Sequence, residues 1–127
     1  FEHLNKRDFV LKEVSRVLRK NGYLLIAIPQ STTNWKLLQK SLELSYYSDP
    51  DHKIEFSQNE IINLLSLHGF LVEKVMPVTL DTPFVGFIDL VGGISLSLYS
   101  RVSRWRRQQA FLHPENSIGL EIVCKKK

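Results

Sequence analysis

Residues 23–28 read Tyr-Leu-Leu-Ile-Ala-Ile, with Asn21-Gly22 in front and Pro29 behind. An apolar run with no polar alternation suits a parallel strand covered by helices on both faces rather than a half-exposed one. Pro29 lacks the N–H that a sheet ladder needs and ends the run. Working upstream, Val10, Val14, Val17 and Leu18 fall on one helical face opposite Lys12, Arg16 and Arg19, with Asn5 as the cap and Asp8 at the third position. Gly22 can take the left-handed conformation that closes such a helix. The unit is therefore helix, tight stop, strand.

Working downstream, Trp35, Leu38 and Leu42 repeat at helical spacing until Asp49-Pro50-Asp51 breaks the pattern. Ser57 and Glu60 form a capping box for a helix that turns Ile61, Leu64 and Leu65 inward and closes at His68-Gly69. Phe70 to Met76 is rich in β-formers and predicts a second strand ending before Pro77. Phe84, Phe87, Val91, Ile94, Leu98, Val102 and Trp105 then step by threes and fours, the pattern of one long helix with a weak point at Gly92-Gly93. Ile118 to Cys124 alternates as an edge or antiparallel strand does. Strands alternating with helices imply one α/β domain over residues 1–127, with the first two strands neighbours in the sheet. Three strands are few for it, so the strand at 23–28 is expected to have an unmatched edge. Phe1 to Leu4 runs at once into a helical pattern, as if the chain started inside a folded unit.

The bulk properties narrow the classes. At 127 residues with 43% hydrophobic content the chain can build a core, and the single cysteine, Cys124, allows neither an internal disulfide nor a Cys-pair metal site. A reducing compartment, the cytoplasm, is the expectation. The net charge of +4 is concentrated at Arg101, Arg104, Arg106 and Arg107 and at Lys125 to Lys127. Such clusters are usually solvated faces, and no zinc-finger or RNA-recognition signature points to nucleic acid.

Two stretches together resemble a segment of the class I S-adenosylmethionine-dependent methyltransferases: Glu2-His3-Leu4, and Val14-Ser15-Arg16-Val17-Leu18-Arg19-Lys20-Asn21-Gly22 leading into residues 23–28 and Pro29. His52 to Phe56, Ser57 to Leu65 and His68-Gly69-Phe70 look like the stretch that enters the sixth strand of that family. The resemblance covers roughly residues 1–76. It implies a partial Rossmann-like methyltransferase fold, made of strands five to seven and their helices, with the last strand antiparallel between the other two. The first four strands and the Gly-rich loop are missing from it, and no G-x-G-x-x-G run occurs. S-adenosylmethionine is then the cofactor of the complete protein, with no binding expected from the isolated chain. The acceptor is expected to be a small molecule or lipid-like.

Ligands of open α/β sheets lie beyond the carboxyl ends of the strands. On the family map Glu2 and His3 follow a strand end. They are candidates for cofactor or substrate contact, and in quinone-related members that position shares in divalent metal binding. Helix-start chemistry is the competing reading, and no third ligand is visible, so no metal is assigned. His3 and His52 are the candidate catalytic bases. Pro29, Gln30 and Ser31 are candidates for the substrate pocket. Residues 84–107 read first as a helix covering its own sheet, and otherwise as a lid or a peripheral membrane contact. The alternative to an enzyme is a non-catalytic interaction module that docks, or self-associates, through its exposed sheet edge and basic helix.

Overall fold

The computed structural model describes residues 1–127. Its three strands are β1 (Tyr23–Pro29), β2 (Phe70–Pro77) and β3 (Gly119–Lys126). The sheet order is β1-β3-β2, with β3 antiparallel to both neighbours. This is the arrangement that the resemblance implies for strands five to seven. It corrects one pattern-based expectation, since β1 and β2 are not neighbours, and of the two readings of the last strand it takes the antiparallel one, at the centre of the sheet. The register sets Leu24, Ile26 and Ile28 opposite Cys124, Ile122 and Leu120, so that one face of the sheet is a continuous apolar surface. On β2 a register shift between Val72 and Lys74 sets Glu73 off the ladder, and Val72 and Val75 share that face with the central strand.

Helices α1 (Arg7–Val17) and α3 (Gln58–Leu67) supply the partners for this face. Leu11, Ile61 and Leu65 enter the core beside Phe56, Phe70, Leu120, Ile122 and Cys124. Burying each large apolar side chain contributes about 1.5–3 kcal/mol. The expected Asn5 cap is absent: Lys6 precedes the first turn and gives no side-chain cap. The stripe used is Leu11, Val14 and Leu18, leaving Val17 68% exposed. The left-handed residue after α1 is Asn21, with φ 62°, rather than Gly22. Gly22 is required for another reason, since a Cβ there would lie 2.8 Å from the Arg19 carbonyl oxygen. The Lys126 ammonium caps the far end of α1 on the carbonyls of Ser15 and Leu18, which ties the last strand to the first helix.

The α3 capping box forms as read, and Gly69 closes the turn into β2 at φ +82°. Helix α2 (Asn34–Ser41) is shorter than expected; Thr33 caps it and Glu43, with φ 57°, turns the chain well before Asp49. The long C-terminal helix is two helices, α4 (Val85–Ile94) and α5 (Leu96–Leu112). The break falls at Ser95, whose extended backbone leaves the helix and whose hydroxyl caps Leu98, two residues past the glycines. At Gly92 the close approach of Tyr99 leaves only 2.9 Å for a Cβ, so this glycine lets α4 and α5 meet. Covering of the sheet by this stripe is not what happens. Phe84, Phe87, Ile94 and Trp105 are all exposed. The opposite face of β1 is bare as well, with Tyr23 and Leu25 58% and 65% exposed, so the strand read as covered on both sides is covered on one.

Candidate functional site

β1 and β2 both point their carboxyl ends at the start of β3: Pro29 faces Gly119 and Pro77 faces Leu120. A pocket of about 270 Å³ opens at this edge, lined by Glu2, Ala27, Ile28, Pro29, Ser48, Ile118 and Gly119. A second cleft of about 260 Å³ shares Ser48 and Ile118 with it and is walled by Trp35, Tyr46, Tyr47, Pro83 and Val85. The first is largely apolar, with Glu2 as its one charged side chain. The second sets Trp35, Tyr46, Tyr47 and Val85 beside Lys36, Gln39, Asp81 and Thr82, so it mixes apolar walls with polar groups that could orient a ligand.

Behind Glu2 lies a cluster that the sequence separates by about fifty positions. The His52 ring stacks edge-on against His3 with centroids 4.8 Å apart, and its Nε2 is 3.8 Å from Glu2 Oε1. His3 Nε2 is 3.9 Å from the same oxygen. His3 Nδ1 lies 3.2 Å from the Asp51 carbonyl and His52 Nδ1 lies 2.8 Å from Glu55 Oε1. Both partners are acceptors, so each Nδ1 carries a proton, and each ring turns its Nε2 toward Glu2. One carboxylate oxygen and two imidazole nitrogens thus lie within 4.8 Å of one another. This donor set can share a proton or hold a divalent cation. His52 is the third member that Glu2 and His3 lack in the sequence.

His52 is fixed by a buried ion pair. Glu55 and Lys36 have side chains 0% and 3% exposed and are bonded to each other. Lys36 Nζ also donates to the Gln30 carbonyl at 2.8 Å and to Ser48 Oγ at 2.7 Å. Glu55 Oε1 accepts from the Ser48 backbone N–H at 2.6 Å as well as from His52. Burial acts to raise the Glu55 carboxyl, but the bonds from Lys36, Ser48 and His52 outweigh it and hold the group below its ordinary range. All three protons of the Lys36 ammonium and both oxygens of Glu55 are occupied, the condition under which a buried pair is tolerated.

Pro29 lines the pocket, whereas Gln30 and Ser31 are enclosed beside it. The Gln30 amide donates to the Glu115 carbonyl at 2.8 Å, and the Ser31 carbonyl accepts from Lys40 Nζ at 3.1 Å. The Gln30 amide N–H and the Ser31 backbone are therefore turned to their own chain, and Gln30 Oε1 is left without a partner. His68 Nδ1 meets the Leu64 carbonyl at the end of α3, as helix-end chemistry requires. His113 lies within 3.6 Å of Glu115, far along the chain from the cluster. Cys124 is in the core, and burial pushes its thiol up to about 11, so the chain holds no ready thiolate nucleophile.

No family model and no curated protein sequence matches the chain. Among solved structures, it is similar to a SAM-dependent methyltransferase from Archaeoglobus fulgidus, with a TM-score of 0.53 and 17% identity, over 98% of this chain and 55% of that one. It is also similar to the YcgJ protein from Bacillus subtilis, with a TM-score of 0.51 and 16% identity, over 99% of this chain and 60% of that one. The likeness is one of fold: an α/β arrangement that matches part of a methyltransferase. The chain spans little more than half the length of the structures it matches. The chain contains no strand–glycine-loop–helix unit of the G-x-G-x-x-G kind.

Proposed function

We propose that residues 1–127 are the acceptor-side half of an S-adenosylmethionine-dependent methyltransferase whose other half carries the cofactor cradle. The observation that carries this reading is the strand order β1-β3-β2, with the pocket and the Glu2–His3–His52 cluster gathered at the carboxyl edge of β1 and β2. The likeness in fold to a methyltransferase supports it. The open edge and bare outer face of β1 are where further strands and helices would join. Glu2 is the charged group on the pocket wall, and His3 and His52 behind it set its proton or cation partner. Trp35, Tyr46 and Tyr47, with Gln39, Asp81 and Thr82 in the same cleft, support a small or lipid-like acceptor that has an apolar body and a polar end.

Methyl transfer depends mainly on holding donor and acceptor in line, so this half alone is inactive. Calorimetry with S-adenosylhomocysteine checks the assignment. The full-length protein binds it, and residues 1–127 alone give no micromolar binding. Micromolar binding by the isolated chain, or none by the full-length protein, contradicts the reading. The alternative is an interaction module that uses the open edge of β1 and the arginines of α5 to dock onto another chain; the unpaired N–H and C=O groups of that edge favour it.

A further inference from the structure

The α4–α5 hairpin presents a row of exposed apolar side chains that the core does not use. Phe87, Leu90 and Ile94 recur along α4 and are 67%, 63% and 81% exposed, and Leu96 just past the bend is 78% exposed. Scattered apolar residues on a surface need no explanation, but a contiguous set of this size marks an interaction site. Along α5 the exposed Trp105 stands among Arg101, Arg104 and Arg107, which make no ion pair. Arg106 differs, turning inward so that its Nε and Nη2 hold the Leu80 carbonyl at 3.1 and 2.7 Å. No acidic residue occurs between Leu90 and Leu112.

What covers this face follows from its position and its charge. α5 packs on β2, at the sheet edge farthest from the open side of β1. Any strand that completes the sheet joins at β1, about 10 Å away across two strand spacings. Nucleic acid would meet the arginines and leave Phe87 and Ile94 in water. A phospholipid surface of negative charge satisfies both halves, because bulky apolar and aromatic groups enter the boundary between headgroups and acyl chains while arginines sit among the phosphates. No helix is long and apolar enough to cross a membrane, so the contact is one of lying on the surface.

We propose that the α4–α5 hairpin docks onto an anionic phospholipid bilayer, with Phe87, Leu90, Ile94 and Leu96 inserted and Arg101, Arg104 and Arg107 on the phosphates. The inference goes beyond the methyl-transfer reading and stands on the hairpin alone. Since the second cleft opens at the foot of α4, beside Pro83 and Val85, a docked hairpin also brings the pocket to the lipid surface.

The test is co-sedimentation of the full-length protein with vesicles of phosphatidylcholine mixed with phosphatidylglycerol. The protein pellets with mixed vesicles and stays in the supernatant with phosphatidylcholine alone. Arg104→Glu with Arg107→Glu lowers the bound fraction on the order of tenfold or more, given the contribution of each cation near such a surface. Phe87→Ser with Ile94→Ser lowers it similarly, and both pairs lie at exposed positions, so circular dichroism is unchanged. Lys125→Glu with Lys127→Glu makes the same change in net charge at the other end of β3 and leaves binding intact. A wild-type protein that never pellets overturns the proposal, as does an equal loss from the two charge reversals. Conversion of a dimer to a monomer by the serine pair, without any vesicle binding, overturns it in favour of a second copy as the cover. Vesicle binding needs no cofactor, so its failure is distinct from failure of S-adenosylhomocysteine to bind.

Discussion

Lys36 carries more of the site than its place on a short surface helix suggests. It is charged, nearly inaccessible and bonded to Glu55, which in turn holds His52. Lys36→Met leaves an uncompensated buried carboxylate and is expected to cost about 3–5 kcal/mol, read as a shift in the urea midpoint. Lys36→Met with Glu55→Gln costs less than the two single changes summed, since each single change strands the other's partner. The depressed Glu55 carboxyl also fixes the sign of the acid response. Its stabilisation is complete above the ordinary carboxyl value of 4.5 and is lost as pH falls through the lower folded value, so Glu55→Gln flattens stability against pH in that window. Little of this was legible. Glu2 and His3 stand out as neighbours in sequence and His52 as a lone histidine, but the two segments meet only in the fold, where Lys53 N–H donates to the Glu2 carbonyl and His3 reaches the Asp51 carbonyl. A lysine at helical spacing with Trp35 and Leu38 reads as a solvated side chain, and nothing local reveals that the loop folds over it.

At the scale of elements, local chemistry predicted what it alone decides. The box of Ser57 and Glu60 forms with both of its reciprocal bonds, and Ser57→Ala is expected to lower stability by about 1 kcal/mol, seen in thermal or urea unfolding. Strand positions were readable for the same reason, since turn residues bound each of them. The failures lie where tertiary packing decides. An apolar stripe over residues 84–105 fits one helix, yet Ser95 leaves helical geometry so that α5 can fold back against α4, and Gly92 makes room for Tyr99. Periodicity shows that a face is apolar and is silent about whether anything covers it. The end of α2 was misplaced because no core contact holds Leu42, which is 60% exposed, inside the helix.

For the molecule as a whole, the order of the sheet was legible only through resemblance. Pattern reading placed the first two strands side by side, whereas β3 separates them, because pairing over long sequence distances leaves no local signal. The open side of β1, with Leu25 exposed, gives the last expectation. Residues 1–127 alone associate through that edge, and Leu25→Lys shifts the gel-filtration volume toward the monomer; a monomeric wild-type chain excludes edge pairing. The central place of β3 has one more consequence, for biosynthesis. A nascent chain emerges from the ribosome in order, and both β1 and β2 receive their partner only when residues 119–126 come out. Until then β2 has no strand beside it, so this side of the sheet closes only after residue 126 has been made, and the interval before it is when chaperones matter most to this polypeptide.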